Sequence, residues 1–264
     1  MNILDTIIAK KRTEVEARKQ HFPLAALERE GNFSTACLSL KQFLQDPSRT
    51  GIIAEFKRRS PSKGVINDKA SVIEVTRAYA SHGASGISVL TDTEFFGGAI
   101  GDLVAARVNQ VPILRKDFMI DPYQLVEAKA FGADVILLIA ACLEPSRVKE
   151  LARKAKELGL EVLLEIHNEE ELGHICAEVD MVGVNNRNLK TFEVNIDTSL
   201  GLINKIPSDK PAVAESGISE VDTIVTLRAA GFSGFLVGEN FMKQPDPSIA
   251  FADFTDQLKA KQHA

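Results

Sequence analysis

The chain carries only three cysteines, Cys37, Cys142 and Cys176, an odd number set far apart and without a Cys-x-x-Cys pair. A disulfide framework and a thiolate metal knuckle are thereby excluded, and the three read as free thiols of a reducing cytosol, packed like small apolar side chains. Long apolar runs are missing as well. The longest, Val135 to Leu143, is too short to span a bilayer, and the start of the chain carries charge inside an apolar stretch too short for a signal peptide. Charge of one sign is nowhere concentrated: the net charge is −5 with Lys and Glu interspersed, which argues against the basic stripe that nucleic acid or an anionic membrane needs. No Gly-x-Gly-x-x-Gly follows a strand and no His/Cys/Asp cluster has metal-ligand spacing, so no dinucleotide, other cofactor or metal is expected. These absences leave a cytoplasmic protein, expected to be a monomer, whose partners are small molecules.

What is present is alternation. The 264 residues, 45% of them hydrophobic, can bury a full core, and the length suits one (β/α)₈ barrel domain over residues 1–264. Ile3, Leu4, Ile7, Ile8 and Val15 fall at helical spacing, so residues 1–50 are expected to form an N-terminal helical extension that covers the barrel. Apolar strands are predicted to begin near Gly51, Gly86, Val111, Asp134, Glu161, Asp180, Pro211 and Gly234. Helical patterns fill the intervals, among them Pro122 to Phe131, Glu169 to Ala177 and Val221 to Ala230, and Gly83, Gly132 and Gly231 end helices just before strands. Such alternation calls for βα units and a parallel sheet.

The strands end in charge. Ile52-Ile53-Ala54-Glu55-Phe56-Lys57 is apolar enough to be buried, so Glu55 and Lys57, on one face, must pair or line a cleft. Lys116, Glu165 and Glu215 recur at later strand ends. On strands one, three, five and seven, these side chains share inward layers and converge at the C-terminal mouth, where mixed charges suit general acid/base work. Glu55 and Glu215 also read as structural ion pairs closing the barrel. Asn185 and Arg187 form a donor pair for a hydroxyl or carboxylate. Arg58 and Arg59 read as solvated loop charges, and His167 as a surface or capping residue.

Ser216-Gly217 follows strand seven and Gly238-Glu239 follows strand eight, the loops on which barrels of this kind commonly cradle a phosphate with backbone N–H groups. Glycine there lets an anion approach, or simply makes a tight turn. Glu239 is a poor neighbour for an anion, so its side chain is expected to turn away. Phe95, Phe96 and Phe118, on loops of the same face, fit a planar aromatic part of a substrate, or else pack against the N-terminal segment.

Six motifs in order carry a family resemblance: Glu55 to Ser62, Leu90-Thr91-Asp92 with Phe95 to Gly98, Arg115 to Phe118, Asn185 to Phe192, Ala214 to Ile218, and Leu236 to Glu239. Together they resemble indole-3-glycerol phosphate synthase, a barrel lyase of tryptophan biosynthesis. The resemblance implies ring closure of 1-(2-carboxyphenylamino)-1-deoxyribulose 5-phosphate with loss of CO₂ and water. It implies Lys116 as general acid at the ketone and Glu165 as base in the dehydration. Lys57 would anchor the substrate carboxylate and deliver a later proton, while Glu55, Asn185, Glu215 and Ser216 would orient the substrate. Ser60, Arg187, Phe95 and Phe118 would complete its binding, and the main chain of Ser216, Gly217, Gly238 and Glu239 would hold the phosphate. Asn195 and Asn240 depart from the usual pattern, and Asn240 is expected to reshape the phosphate helix. Two other readings stay open: an aldolase forming a Schiff base on Lys116, and a catalytically silent binder of phosphorylated ligands.

Overall fold

The computed structural model describes residues 3–189 and 191–262. Lys190, inside one of the quoted motifs, lies outside the described residues. Every segment predicted as a strand is one: β1 (Ile52–Phe56), β2 (Gly86–Leu90), β3 (Ile113–Lys116), β4 (Val135–Ile139), β5 (Glu161–Ile166), β6 (Met181–Asn185), β7 (Ala212–Glu215) and β8 (Gly234–Val237). Each pairs in parallel with its neighbours in sequence, and β8 pairs with β1 to close the barrel. The strands are apolar on both faces because both are buried. Ile53, Leu114, Leu137, Leu163, Val213 and Leu236 fill the interior, while Ile52, Ala54, Ile113 and Ile136 meet the surrounding helices.

The outer layer consists of α4 (Val72–Ser81), α5 (Ile100–Ala106), α6 (Pro122–Ala130), α7 (Pro145–Glu157), α8 (Asp197–Leu202), α9 (Val221–Ala230) and α11 (Pro247–Gln262), with a short α10 (Glu239–Met242) after β8. Helix α6 starts where its sequence says it should, with Pro122 at the first turn and a capping box between Asp121 and Gln124. Gly83, Gly132 and Gly231 all take the positive φ that a helix exit requires. One crossover differs from expectation: Glu169 to Ala177 is not an α-helix but a 3₁₀ helix, Glu169–His174. Asn168 caps the Glu171 N–H there, and the Glu171 side chain turns back onto His167.

The N-terminal segment reaches both ends of the barrel. Helix α1 (Ile3–His21) lies at the C-terminal mouth, where Ile3, Leu4 and Ile7 face the cavity described below. Val15 of α1 and Leu27 of α2 (Leu24–Leu27) pack on Tyr123, Val126 and Ala130 of α6. Leu40 and Leu44 of α3 (Leu40–Gln45) close the opposite end, packed into the interior cluster against the starts of β2 and β8. Burying a leucine of this kind is worth roughly 2 kcal/mol.

Candidate active site

Alternation inside the strands decides which side chains meet. Ile53, Leu114, Leu163 and Val213 point inward, so two residues later Glu55, Lys116, Glu165 and Glu215 do as well, now at the mouth. The structure brings all of them together. Lys116 Nζ lies 3.1 Å from Glu215 Oε2, 3.7 Å from Glu165 Oε2 and 3.8 Å from Glu55 Oε2. Lys57 Nζ lies 2.8 Å from Glu55 Oε1. Gly183 of β6 makes room for this: a Cβ there would stand 2.2 Å from Glu215 Oε1. The ammonium of Lys116 thus fills the space between three carboxylates, and among the described residues no cluster of His, Cys, Asp or Glu could hold a metal.

Burial and charge set the ionisation of each group. Burial opposes the charge on Lys116, but Glu215, Glu55 and Glu165 overcome it and hold the amine firmly as ammonium. Burial would likewise raise Glu55, yet Lys57 and Lys116 keep its pKa below the usual carboxylate value. Glu165 is held low against its burial by Lys116 and His167. Glu215 goes the other way, because burial and the adjacent Glu165 carboxylate outweigh Lys116. Two carboxylates with opposed shifts in one cleft are the signature of an acid–base site.

The cluster floors a cavity of about 1050 Å³, counted with its opening, roofed by Ile3, Leu4 and Ile7 of α1 and walled by Ser60, Phe118, Asn185, Arg187 and Leu189. Asn185 accepts the Arg187 N–H at 3.0 Å through its side chain, which fixes the donor pair at the rim. One aromatic expectation is corrected: Phe96, not Phe95, lines the cavity, its ring 6.1 Å from that of Phe118. The Asp92 carboxylate accepts the N–H groups of both Phe95 and Phe96 and holds the turn that presents Phe96 to the cavity. Arg58 is also not a solvated charge. It pairs with Asp102 through both Nη atoms and lies over the Phe56 ring at 5.0 Å.

At the end where a phosphate was expected, Ser216 and Glu239 line the cavity. Ser216 and Gly217 both have positive φ, 66° and 79°, so the chain turns sharply off β7, at some strain for the serine. Two expectations change here. The free side of Gly238 faces Glu55 rather than open space, with a Cβ falling 2.7 Å from Glu55 Oε1, and that of Gly217 faces Val194 at 2.5 Å. The Glu239 side chain does not turn away; it stays at the mouth, 3.7 Å from Arg187 and 3.8 Å from Lys63, which offset its charge. Asn240 donates to the Ser219 carbonyl at 3.1 Å, tying α10 to the loop after β7.

Two residues were missed. His167 is half-buried rather than at the surface, 3.2 Å from Glu165, and the period of two through Glu165 was the signal for it. Lys11 of α1 is buried between Asp92 and Asp117, 2.9 Å from each, a contact that no local pattern announces.

A closed parallel barrel with an ammonium among three carboxylates at its C-terminal mouth is a (β/α)₈-barrel enzyme equipped for acid–base chemistry. The family model of indole-3-glycerol phosphate synthase matches residues 4–254, and the chain belongs to that family. The indole-3-glycerol phosphate synthase of Bacteroides thetaiotaomicron is 50% identical over 262 residues, covering 99% of each chain. That of Albidiferax ferrireducens is 42% identical over 257 residues, covering 96% of this chain and 97% of its own. Among solved structures, a chain of the Pyrococcus furiosus tryptophan synthase complex superposes with a TM-score of 0.61 at 19% identity, covering 80% of this chain and 99% of that one. That last likeness speaks for the fold alone.

Proposed function

We propose that this chain is a carboxy-lyase that makes indole-3-glycerol phosphate from 1-(2-carboxyphenylamino)-1-deoxyribulose 5-phosphate in tryptophan biosynthesis, and that its buried charges divide the proton transfers. The observation that carries the reading is Lys116, held as ammonium among Glu55, Glu165 and Glu215 beneath an aromatic-walled cavity. As the ring carbon attacks the ketone, Lys116 gives the developing alkoxide a proton. The C–CO₂ bond then breaks and its electrons restore the aromatic ring. In the last step Glu165 takes a proton from the former sugar C1 while the hydroxyl leaves as water with a proton from Lys57. Each such transfer contributes roughly 10²- to 10⁴-fold.

Binding follows the walls. Phe96 and Phe118 take the aromatic ring, Lys57 the carboxylate, and Asn185, Glu215 and Ser60 the hydroxyls. The phosphate rests at Ser216, Gly217, Gly238 and Glu239 main chain, within reach of Arg187 and Lys63. All these groups come from one chain, so a monomer suffices, and the free thiols of Cys37, Cys142 and Cys176 suit the cytoplasm. A Schiff base on Lys116 needs a neutral amine, which its three carboxylates oppose.

Spectroscopic detection of the indole chromophore on adding the substrate tests the assignment. Binding without indole formation would leave a silent phosphate binder, and borohydride trapping of an adduct on Lys116 would make the chain an aldolase.

A further inference from the structure

The alternation along β5 that turns Glu165 inward also turns His167 inward, one step further out. Its ring sits between two carboxylates, Nε2 3.2 Å from Glu165 Oε1 and Nδ1 3.3 Å from Glu171 Oε2. Glu171 is itself fixed: the same oxygen accepts the backbone N–H of His167 at 2.7 Å, and its other oxygen accepts Asn168 Nδ2 at 3.2 Å. Glu165 lines the catalytic cavity, whereas His167 and Glu171 line a neighbouring one beyond Asn185 and Arg187. His167 therefore touches the base without facing the substrate.

The timing of the reaction gives this contact a task. Among the described residues, the cations paired with Glu165 are Lys116, at 3.7 Å, and His167. Lys116 shares its charge with two further carboxylates and surrenders it when it protonates the ketone. At that moment a buried Glu165 facing no other cation would take up a proton and cease to be a base.

We propose that His167 is a positioning residue, an imidazolium clamped by Glu171 that keeps Glu165 anionic and oriented while Lys116 is discharged. The proposal rests on the reading of Glu165 as base. The ring's pKa is raised to about 10 although burial opposes it, because Glu165 and Glu171 favour its charge. The other groups about this pair are consistent with that: the Cys142 thiol is pushed up, chiefly by burial, and stays neutral, and His174 binds the Glu171 and Leu143 carbonyls.

The test is His167→Gln, which keeps a hydrogen-bonding side chain and removes the charge. The dehydration phase in single turnover should slow about ten- to hundredfold with KM within about threefold. Its acid limb should move up by about one pH unit or more, since a carboxylate that loses a neighbouring cation protonates at higher pH. Glu171→Gln should move the limb in the same direction by less, and it carries the test if His167→Gln does not fold. An unmoved acid limb with dehydration within about threefold of wild type overturns the proposal. Glu165→Gln separates the two levels: if it dehydrates normally, the base assignment falls and this proposal with it. If it is inactive while His167→Gln behaves as wild type, only the role of His167 is lost.

Discussion

Lys11 Nζ lies 2.9 Å from the carboxylate of Asp117, the residue that follows Lys116 in the chain. The pair joins the roof of the cavity to the strand that delivers the proton. It is part of a buried circuit in which Asp117 also meets Arg115, Arg115 meets Glu127 at 2.7 Å, and Glu127 meets Arg18 of α1 at 3.0 Å. Lys11→Met leaves the buried Asp92 without the cation it meets and Asp117 with Arg115 alone, at a cost of about 3–5 kcal/mol. Thermal unfolding should shift down accordingly, and trypsin should cut within α1 before the barrel. An unchanged melting temperature would show the circuit to be dispensable.

Lys116→Met should abolish turnover while a reduced-substrate analogue still binds within about tenfold, because the lost interaction belongs to the transition state. Without the ammonium, Glu215 loses the cation it meets and keeps its proton to higher pH, while Glu55 still meets Lys57 and Glu165 still meets His167, so the variant should be most stable in acid. Near-normal kcat would remove Lys116 from the mechanism.

Glu215 carries a stability signature of its own. Its pKa is raised from 4.5 to about 8, by burial first and by Glu165 beside it, so the folded state binds a proton the unfolded chain has lost. That contribution is complete below pH 4.5 and fades as pH rises toward 8. Glu215→Gln should therefore flatten the decline of stability across this window and raise the melting point at its upper end, while lowering activity. A variant with the wild-type slope would contradict the shift.

Gly238→Ala should act on chemistry rather than on anion affinity alone, since the new methyl would press on Glu55 and disturb its pair with Lys57. Such overpacking costs about 1–3 kcal/mol. We expect kcat to fall with little change in inhibition by inorganic phosphate. Loss confined to phosphate affinity would return Gly238 to a purely anion-binding role.

Much of this was legible because barrel strands impose a period of two and one active face. The starts of β1 and β8, and the convergence of Glu55, Lys116, Glu165 and Glu215, follow from apolar runs ending in charge. What escaped depends on contacts between distant segments. Arg58 looked solvated because its partner Asp102 lies far along the chain, in α5, and Phe95 could not be told from Phe96 in a loop that has no period. His167 was visible by parity, but its clamp, Glu171, depends on a 3₁₀ turn where a helix was expected. The family motifs pointed to a phosphate at Gly217 and Gly238, and only the packing of Val194 and Glu55 shows what already stands beside them.

The N-terminal segment that covers both ends of the barrel also leaves the ribosome before the barrel does. Leu40 closes on an interior to which Leu114, Leu163, Val213 and Leu236 contribute, residues made long after it. Ile3, Leu4 and Ile7 likewise wait for a mouth whose last wall, Glu239, lies near the far end of the chain. Contacts of such sequence separation form late, because a long loop must close before they are rewarded. The parts of the segment that cap the barrel ends therefore find their full set of partners only once the last strand is made, and their docking marks the completion of the barrel from both ends.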